Sequence, residues 1–193
     1  MQMCIFTIPT YSNLTRWPKD IKMLRILLLL TVLSGCAPVD VNHYKNNTPK
    51  LEVKTFFDGK LKASGIVKNR KGEVIRYFSA DINAEWKNGV GTLHEVFLFD
   101  DGEQQTRIWT LQAINEQTFT ASANDVVGES TVHTAGNAMF LQYTLTIPYK
   151  DSTIDVQVDD KMYLVNKSTL INESSLTKFG FDVGQVVLNI TRL

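Results

Sequence analysis

Cysteine, histidine and an excess of either charge are what this sequence lacks, and each shortage excludes a class of function. Two cysteines and three histidines leave few residues for a zinc site or for thiol chemistry. Lysine and arginine total 20, as do aspartate and glutamate, so the basic excess typical of nucleic-acid binders is missing. The chain also has no Gly-x-Ser-x-Gly or His-Glu-x-x-His pattern. We therefore expect neither an enzyme nor a metal or cofactor site, and no nucleic-acid partner.

Long hydrophobic runs are also missing. The longest run spans residues 26–33, whereas a helix that crosses a bilayer needs about 20 apolar residues. Arg25 precedes the run, and the sequence Leu-Ser-Gly-Cys at 33–36 ends it with small residues and a cysteine. This order resembles a bacterial signal peptide with a lipobox, in which Cys36 is lipidated and becomes the new amino terminus. The alternative is a short buried segment with an incidental cysteine.

The predicted cleavage before Cys36 divides the chain. Residues 1–35 are the predicted signal peptide, and residues 1–22 are either an untranslated upstream extension, with Met23 as the start, or an unusually long amino-terminal region. Cleavage removes four basic residues and one acidic residue, which leaves a mature chain of net charge −3. The remaining cysteine carries lipid, so no disulfide is expected, although the periplasm allows one.

The lipid anchor predicts a location. Several acyl chains hold a protein on a membrane stably, since each buried methylene contributes about 0.8 kcal/mol. Ala37 follows the cysteine, at the position where aspartate signals inner-membrane retention in enteric bacteria, so we expect the outer membrane, at its periplasmic face. Residues 36–50 are predicted to be the lipidated cysteine and a polar tether, and residues 51–193 a single domain.

The predicted domain consists of short apolar segments separated by turn residues, which is typical of an all-β protein. Its clearest strand runs from Val74 to Trp86, where every second residue except Arg76 is apolar, as in a half-buried strand. Asn-Gly at 88–89 and Asp-Gly at 101–102 suit tight hairpins. The other strand candidates are Leu51–Phe57, Lys62–Lys68, Val90–Phe99, Gln105–Ile114, Thr118–Ala123, Ala138–Ile147, Ile154–Val158, Met162–Val165, Ser168–Phe179 and Val183–Arg192.

These segments predict a single antiparallel β-barrel of about eight to ten strands, because closure removes unpaired strand edges. A barrel of this size can hold one small ligand. A β-sandwich is the alternative fold that the same pattern allows.

An ordered set of short motifs in the domain is similar to those of the uncharacterised bacterial lipoproteins grouped as domain of unknown function 3833. The motifs are Glu95–Phe97, Phe99–Glu103, Arg107–Trp109, Ala123–Gly128, Gly136–Ala138, Tyr143–Leu145, Asp159–Leu164 and Lys178–Gly180. The family pattern carries an aromatic residue where this chain has Lys161. The resemblance implies a lipocalin-like barrel tethered to the cell envelope, and it implies no activity.

Four residues are the candidate ligand-binding site. Glu95 and Arg107 flank the Asp-Gly turn, and an odd-length hairpin loop places them opposite each other, on the face that carries Trp109. One interpretation is a buried ion pair that fixes strand register. The other is a headgroup site in which Arg107 binds a carboxylate or phosphate. Arg76, which alternates with Phe78, either joins this cluster or lies at the barrel rim.

Two functions remain open from the sequence. The first is an envelope lipoprotein whose barrel binds a small apolar or lipid-like molecule in the periplasm. The second is a structural or interaction lipoprotein whose filled barrel contacts another envelope protein through its outer surface. A cavity with convergent polar groups favours the first, and a packed interior with an exposed apolar patch favours the second.

Overall fold

The computed structural model describes residues 38–193. The predicted signal peptide (1–35), the alternative start Met23 and the predicted lipidation site Cys36 lie outside the described residues. Within the described residues the chain forms one compact unit from Val39 to Leu193.

The described chain contains ten strands and two short helical segments. A 3-10 helix spans Val41–Tyr44 and the helix α1 spans Val53–Phe56. The strands are β1 (Gly59–Asn69), β2 (Val74–Lys87), β3 (Val90–Phe99), β4 (Gln104–Ala113), β5 (Thr118–Ala123), β6 (Ser130–Ala135), β7 (Ala138–Tyr149), β8 (Ser152–Leu164), β9 (Thr169–Lys178) and β10 (Phe181–Arg192).

The ten strands close into one antiparallel barrel, so the predicted barrel is confirmed. Each strand pairs with its neighbours along the chain, and β1 pairs with β10 to complete the ring. The β1–β10 seam holds nine residue pairs, from Leu61↔Arg192 to Asn69↔Gly184. Closure leaves no strand in the ring with a free edge, which is why these strands form a barrel rather than a sandwich.

Period-two alternation places one face of every strand inside the barrel. In β2 the even-numbered residues Phe78, Ala80, Ile82 and Ala84 are buried, whereas the odd-numbered residues between them are exposed. This is the face that the alternation predicts, because successive side chains of a strand point to opposite sides of the sheet. The predicted strand at Ser168–Phe179 is likewise confirmed as β9.

The two ends of the barrel differ. The turns after β1, β3, β5, β7 and β9 lie at one end, which we call the mouth, and the turns after β2, β4, β6 and β8 lie at the other, which we call the floor. Inward-facing residues near the floor, such as Leu61 and Phe119, are almost fully buried. Those near the mouth, such as Val67 and Val186, are only half-buried. The barrel is therefore closed at the floor and more open at the mouth.

A helical plug closes the floor, so the predicted strand at Leu51–Phe57 is wrong. The backbone N–H of Phe56 donates to the Glu52 carbonyl at 2.8 Å, within the single turn of α1. Helical spacing then directs Val53, Phe56 and Phe57 into the core, each at most 4% exposed. The short segment that contains them mixes apolar and polar residues and fits either a strand or a buried helix. In the structure it is helical where it covers the floor of the barrel.

The segment before α1 packs on the barrel, which differs from the predicted tether that extends to residue 50. The Tyr44 ring lies 5.8 Å from Phe140 and 5.2 Å from Tyr163, between ring centroids. The Tyr44 carbonyl also lies so close to Gly136 that a Cβ at position 136 would collide with it. Aromatic packing on the outer wall therefore orders a segment whose polar composition suggests a flexible linker.

Candidate functional site

The barrel encloses a cavity of about 180 Å³ between the plug and the mouth. Most of its wall is apolar. The inward-facing aliphatic and aromatic residues are Phe57, Ala63, Val67, Phe78, Ile82, Leu93, Phe97, Phe99, Trp109, Leu111, Ala121, Val132, Met139, Leu141, Leu145, Val158, Met162, Leu176, Val186, Leu188 and Ile190. Such a wall favours an apolar or partly apolar occupant.

One sector of the wall is polar, and we call it the polar wall. It consists of Glu95 from β3, Arg107 from β4, Tyr143 from β7, Asp160 from β8, and Asn172 and Ser174 from β9. All six occupy inward positions, where the alternation otherwise supplies apolar residues. Buried polar groups of this kind are costly unless they satisfy one another or bind something else.

Glu95 lies at the centre of the polar wall. It is 9% exposed and pairs in register with Arg107 across the β3–β4 hairpin, as the sequence predicts. Within residues 38–193 no group donates a hydrogen bond to its carboxyl. Burial raises the pKa of Glu95 from 4.5 to about 7, against the opposing effect of the Arg107 charge. The Glu95 carboxyl therefore faces the cavity without a hydrogen-bond donor from the described residues.

Arg107 forms its ion pair with Asp125 rather than with Glu95, which corrects the pairing considered from the sequence. Its Nε donates to both Asp125 carboxylate oxygens, at 3.0 and 2.9 Å, and its second guanidinium nitrogen lies 2.7 Å from Oδ2. Asp125 comes from the β5–β6 turn at the mouth. The turn thus folds a carboxylate over the arginine, which engages it in a bidentate pair.

Asp160 is the second buried carboxyl of the polar wall. The Ser174 hydroxyl donates to its Oδ1 at 2.9 Å, and the Asn172 amide donates to the same oxygen. Burial raises the pKa of Asp160 from 3.8 to about 6, although these two hydrogen bonds favour the ionised form. The Asp160 carboxyl is therefore balanced between its two protonation states near pH 6.

Tyr143 of the polar wall packs against Trp109 of the apolar wall. The Trp109 and Tyr143 rings meet edge to face with centroids 5.3 Å apart, and the Arg107 guanidinium lies 6.0 Å from the Trp109 ring centroid. Burial raises the pKa of Tyr143 well above its usual value, so its hydroxyl keeps its proton. Trp109 therefore packs the arginine, and Tyr143 supplies a neutral hydroxyl to the cavity.

Arg76 lies at the mouth, outside the polar wall. Its guanidinium contacts Asp101 at 2.9 Å and Glu103 at 2.8 Å, both from the β3–β4 turn. It also stacks 3.7 Å above the Phe99 ring centroid. The sequence allows Arg76 to lie either in the interior cluster or at the barrel rim, and the structure places it at the rim. Its contacts there connect the ends of β2, β3 and β4.

Asp125, Tyr143 and Asp160 have no place in the sequence-predicted site, although the structure brings them to it. Asp160 follows Val156 and Val158 at inward positions of β8, so the period-two pattern contains a signal for a buried carboxyl. Asp125 carries no such signal, because it lies in a turn, where aspartate is common for local reasons. Only the fold brings this turn against Arg107.

Two further structural findings concern metals and membranes. Among residues 38–193, no group of three or more His, Cys, Asp or Glu side chains is placed to hold a metal ion. No helix in this part of the chain is long and apolar enough to span a bilayer.

Fold and sequence together define the class of protein. It is a closed, ten-stranded antiparallel β-barrel with an internal cavity. The chain belongs to the family described as protein of unknown function (DUF3833), whose family model matches residues 30–192. This match confirms the resemblance seen in the sequence motifs. No curated protein matches the chain.

Two solved structures are similar to the barrel. The S-type phycobiliprotein lyase CPES from Guillardia theta superposes with a TM-score of 0.55 at 10% identity, over 81% of this chain and 98% of the lyase. A redesigned β-barrel matches with a TM-score of 0.41 at 8% identity, over 74% of this chain and 96% of the designed one. The lyase shows that this barrel architecture, which is lipocalin-like, occurs in a natural protein.

Proposed function

We propose that this protein is a non-enzymatic carrier or receptor that binds a small, partly apolar molecule inside the barrel. The observation that supports this proposal is the cavity of about 180 Å³ with an apolar wall and one polar sector. The polar sector includes two buried carboxyl groups, those of Glu95 and Asp160. A binding protein uses such groups to orient a ligand that the apolar wall holds.

The size of the cavity sets the size of the ligand. An apolar cavity of about 150 Å³ in another protein takes up a single benzene ring. The barrel cavity is slightly larger and continues toward the half-buried residues of the mouth. We therefore propose that it holds one aromatic ring or a few methylenes of an acyl chain, while the rest of a longer ligand extends through the mouth.

The proposed function has a proposed location in the cell envelope. We propose that Cys36 carries lipid and holds the barrel at the periplasmic face of the outer membrane, because a lipobox pattern lies on the amino-terminal side of the barrel. The phycobiliprotein lyase supports a ligand-holding use of the architecture, but at 10% identity its likeness extends to the fold alone. We propose no bond-making step for this chain.

Mass spectrometry of the protein purified from its own cell envelope tests the proposal. We expect one small molecule to co-purify with the wild-type chain, and we expect Val186→Trp to lose it. Val186 lines the cavity near the mouth, and an indole there fills the entrance. Val183→Trp is the matched control, because Val183 lies on the outer face of the same strand and is 40% exposed. The same bound molecule in both variants would contradict binding in the cavity.

One observation favours the rival function, an interaction lipoprotein that meets another envelope protein. Phe179 and Phe181 at the β9–β10 turn are 86% and 72% exposed, and Tyr149 at the neighbouring β7–β8 turn is 52% exposed. Exposed aromatic residues at adjacent turns are typical of a contact surface. Cross-linking in cells tests this rival function. It requires a partner that cross-links to the wild-type chain and to Val186→Trp, and that is lost when Phe179→Ser and Phe181→Ser are introduced.

A further inference from the structure

Carboxyl and basic groups at the polar wall do not balance. Among the described residues there, Glu95, Asp160 and the adjoining Asp125 supply three carboxyl groups, whereas Arg107 supplies one basic group. Asp125 pairs with Arg107 through two guanidinium nitrogens. Glu95 and Asp160 are therefore left without a basic partner among the described residues.

The Glu95 carboxyl faces the cavity. No described residue donates a hydrogen bond to the Glu95 carboxyl, even though the residue is 9% exposed. Asp160 is better satisfied, because Ser174 and Asn172 both donate to its Oδ1. No described residue hydrogen-bonds to its other carboxylate oxygen. Glu95 and Asp160 both line the same cavity, so their carboxyl groups belong to one site.

We propose that the polar wall binds a nitrogen donor group, an ammonium or an N–H, in preference to a carboxylate or phosphate. This inference rests on the proposed function, because it concerns a ligand of the same cavity. A donor group at Glu95 satisfies the free acceptor and adds a charge-assisted hydrogen bond. An anionic group at the same place would lie near the carboxyl groups of Glu95 and Asp160, whereas the charge of Arg107 is already paired with Asp125. Repulsion between like charges therefore disfavours an anionic ligand. Arg107 thus holds Asp125 and is not the ligand's anchor.

Three one-ring probes separate this inference from the proposed function. Toluene tests the apolar cavity alone, benzylamine adds an ammonium, and phenylacetate adds a carboxylate on the same scaffold. The probes are titrated by NMR at pH 7.5 into the full chain carrying Cys36→Ser, purified without detergent. We expect benzylamine to bind about tenfold more tightly than phenylacetate, as one charge-assisted hydrogen bond provides. Phenylacetate binding equally or more tightly overturns the inference, while absence of toluene binding overturns the proposed function.

Variants locate the preference at the polar wall. Glu95→Gln is expected to weaken benzylamine binding about tenfold more than it weakens toluene binding. Asp160→Asn provides a second variant with a smaller expected loss, because that carboxyl already has two donors. Glu173→Gln is the matched control, since Glu173 is exposed on the outer face of β9. Unchanged benzylamine affinity in a folded Glu95→Gln chain, verified by its β-sheet circular dichroism and by toluene binding, contradicts the assignment.

Discussion

At the scale of single residues, the polar wall trades stability for a binding surface. Burying the Glu95 carboxyl near apolar neighbours disfavours its charged form. None of residues 38–193 donates a hydrogen bond to it. Because Glu95 and Asp160 hold their protons more tightly in the folded than in the unfolded chain, the folded state binds more protons between about pH 4 and pH 7. The free energy of unfolding therefore decreases as pH rises through this window.

Glu95→Gln is expected to remove much of this pH dependence. A shift of the pKa from 4.5 to about 7 corresponds to at most about 3 kcal/mol at pH 8. Urea unfolding of the wild-type and variant chains at pH 4 and pH 8 measures it. We expect the wild-type chain to lose more stability than the variant between the two pH values. Equal losses would show that the Glu95 pKa is not raised in the folded state.

The Arg107–Asp125 pair predicts a coupling energy. Arg107→Met or Asp125→Asn alone leaves one charge of the pair without its partner. Each is expected to cost about 2–3 kcal/mol, less than the about 3–5 kcal/mol of fully buried pairs because both side chains keep some exposure. The double variant is expected to lose less than the sum, as denaturant unfolding can measure. Arg107→Met combined with Glu173→Gln is the control pair, for which additive losses of stability are expected. Additive losses for Arg107→Met with Asp125→Asn would contradict the pairing.

At the scale of elements, the period-two pattern predicts the strands well. It predicts neither the helical plug nor the contacts that the turns make. The β2 face and the Glu95–Arg107 register follow from the sequence, because side chains alternate and a hairpin loop fixes the pairing. The plug at Val53–Phe56 does not follow from the sequence, since a four-residue segment with apolar residues only at its two ends fits a strand and a helix equally. The role of Asp125 is not predicted either. Asp125 pairs with Arg107 only because the β5–β6 turn folds against β4, and no local sequence pattern indicates that contact.

The β1–β10 seam depends on a glycine. A Cβ at Gly65 would lie 2.5 Å from Phe78 Cζ, 2.6 Å from Leu188 Cβ and 2.8 Å from the Val187 carbonyl oxygen. The Phe78 ring occupies the space that a side chain would take, at the strand pair that closes the barrel. Glycine is therefore required here by close approach within the sheet.

Gly65→Ala is expected to destabilise the barrel by about 1–3 kcal/mol, because Leu188 and the β10 backbone must move. Thermal or denaturant unfolding measures the change. Ser64→Ala is the control on the exposed face of the same strand. If the two variants are equally stable, the barrel accommodates a side chain at the seam, and the close packing of Phe78 against Gly65 does not constrain it.

At the scale of the whole molecule, the predicted anchor determines where the barrel works. Cys36→Ser is expected to shift the chain from membrane to soluble fractions of the cell envelope, because the lipid is the attachment proposed. Immunoblotting of separated fractions measures the shift. Ala37→Asp is the companion variant, which retains the cysteine and is expected to move the protein from the outer to the inner membrane. Unchanged fractionation of Cys36→Ser would contradict the lipobox.

The central claim is that the barrel interior is a binding site, and toluene titration tests it most directly. The probe carries no charge, so its binding depends on the apolar cavity of about 180 Å³ and not on the polar wall. In NMR titrations of the detergent-free Cys36→Ser chain we predict saturable binding at one site per chain, with shifts confined to inward-facing residues. We predict that Val186→Trp abolishes this binding and that Val183→Trp retains it. Absence of saturable binding to the wild-type barrel, or equal binding to both tryptophan variants, would contradict the claim.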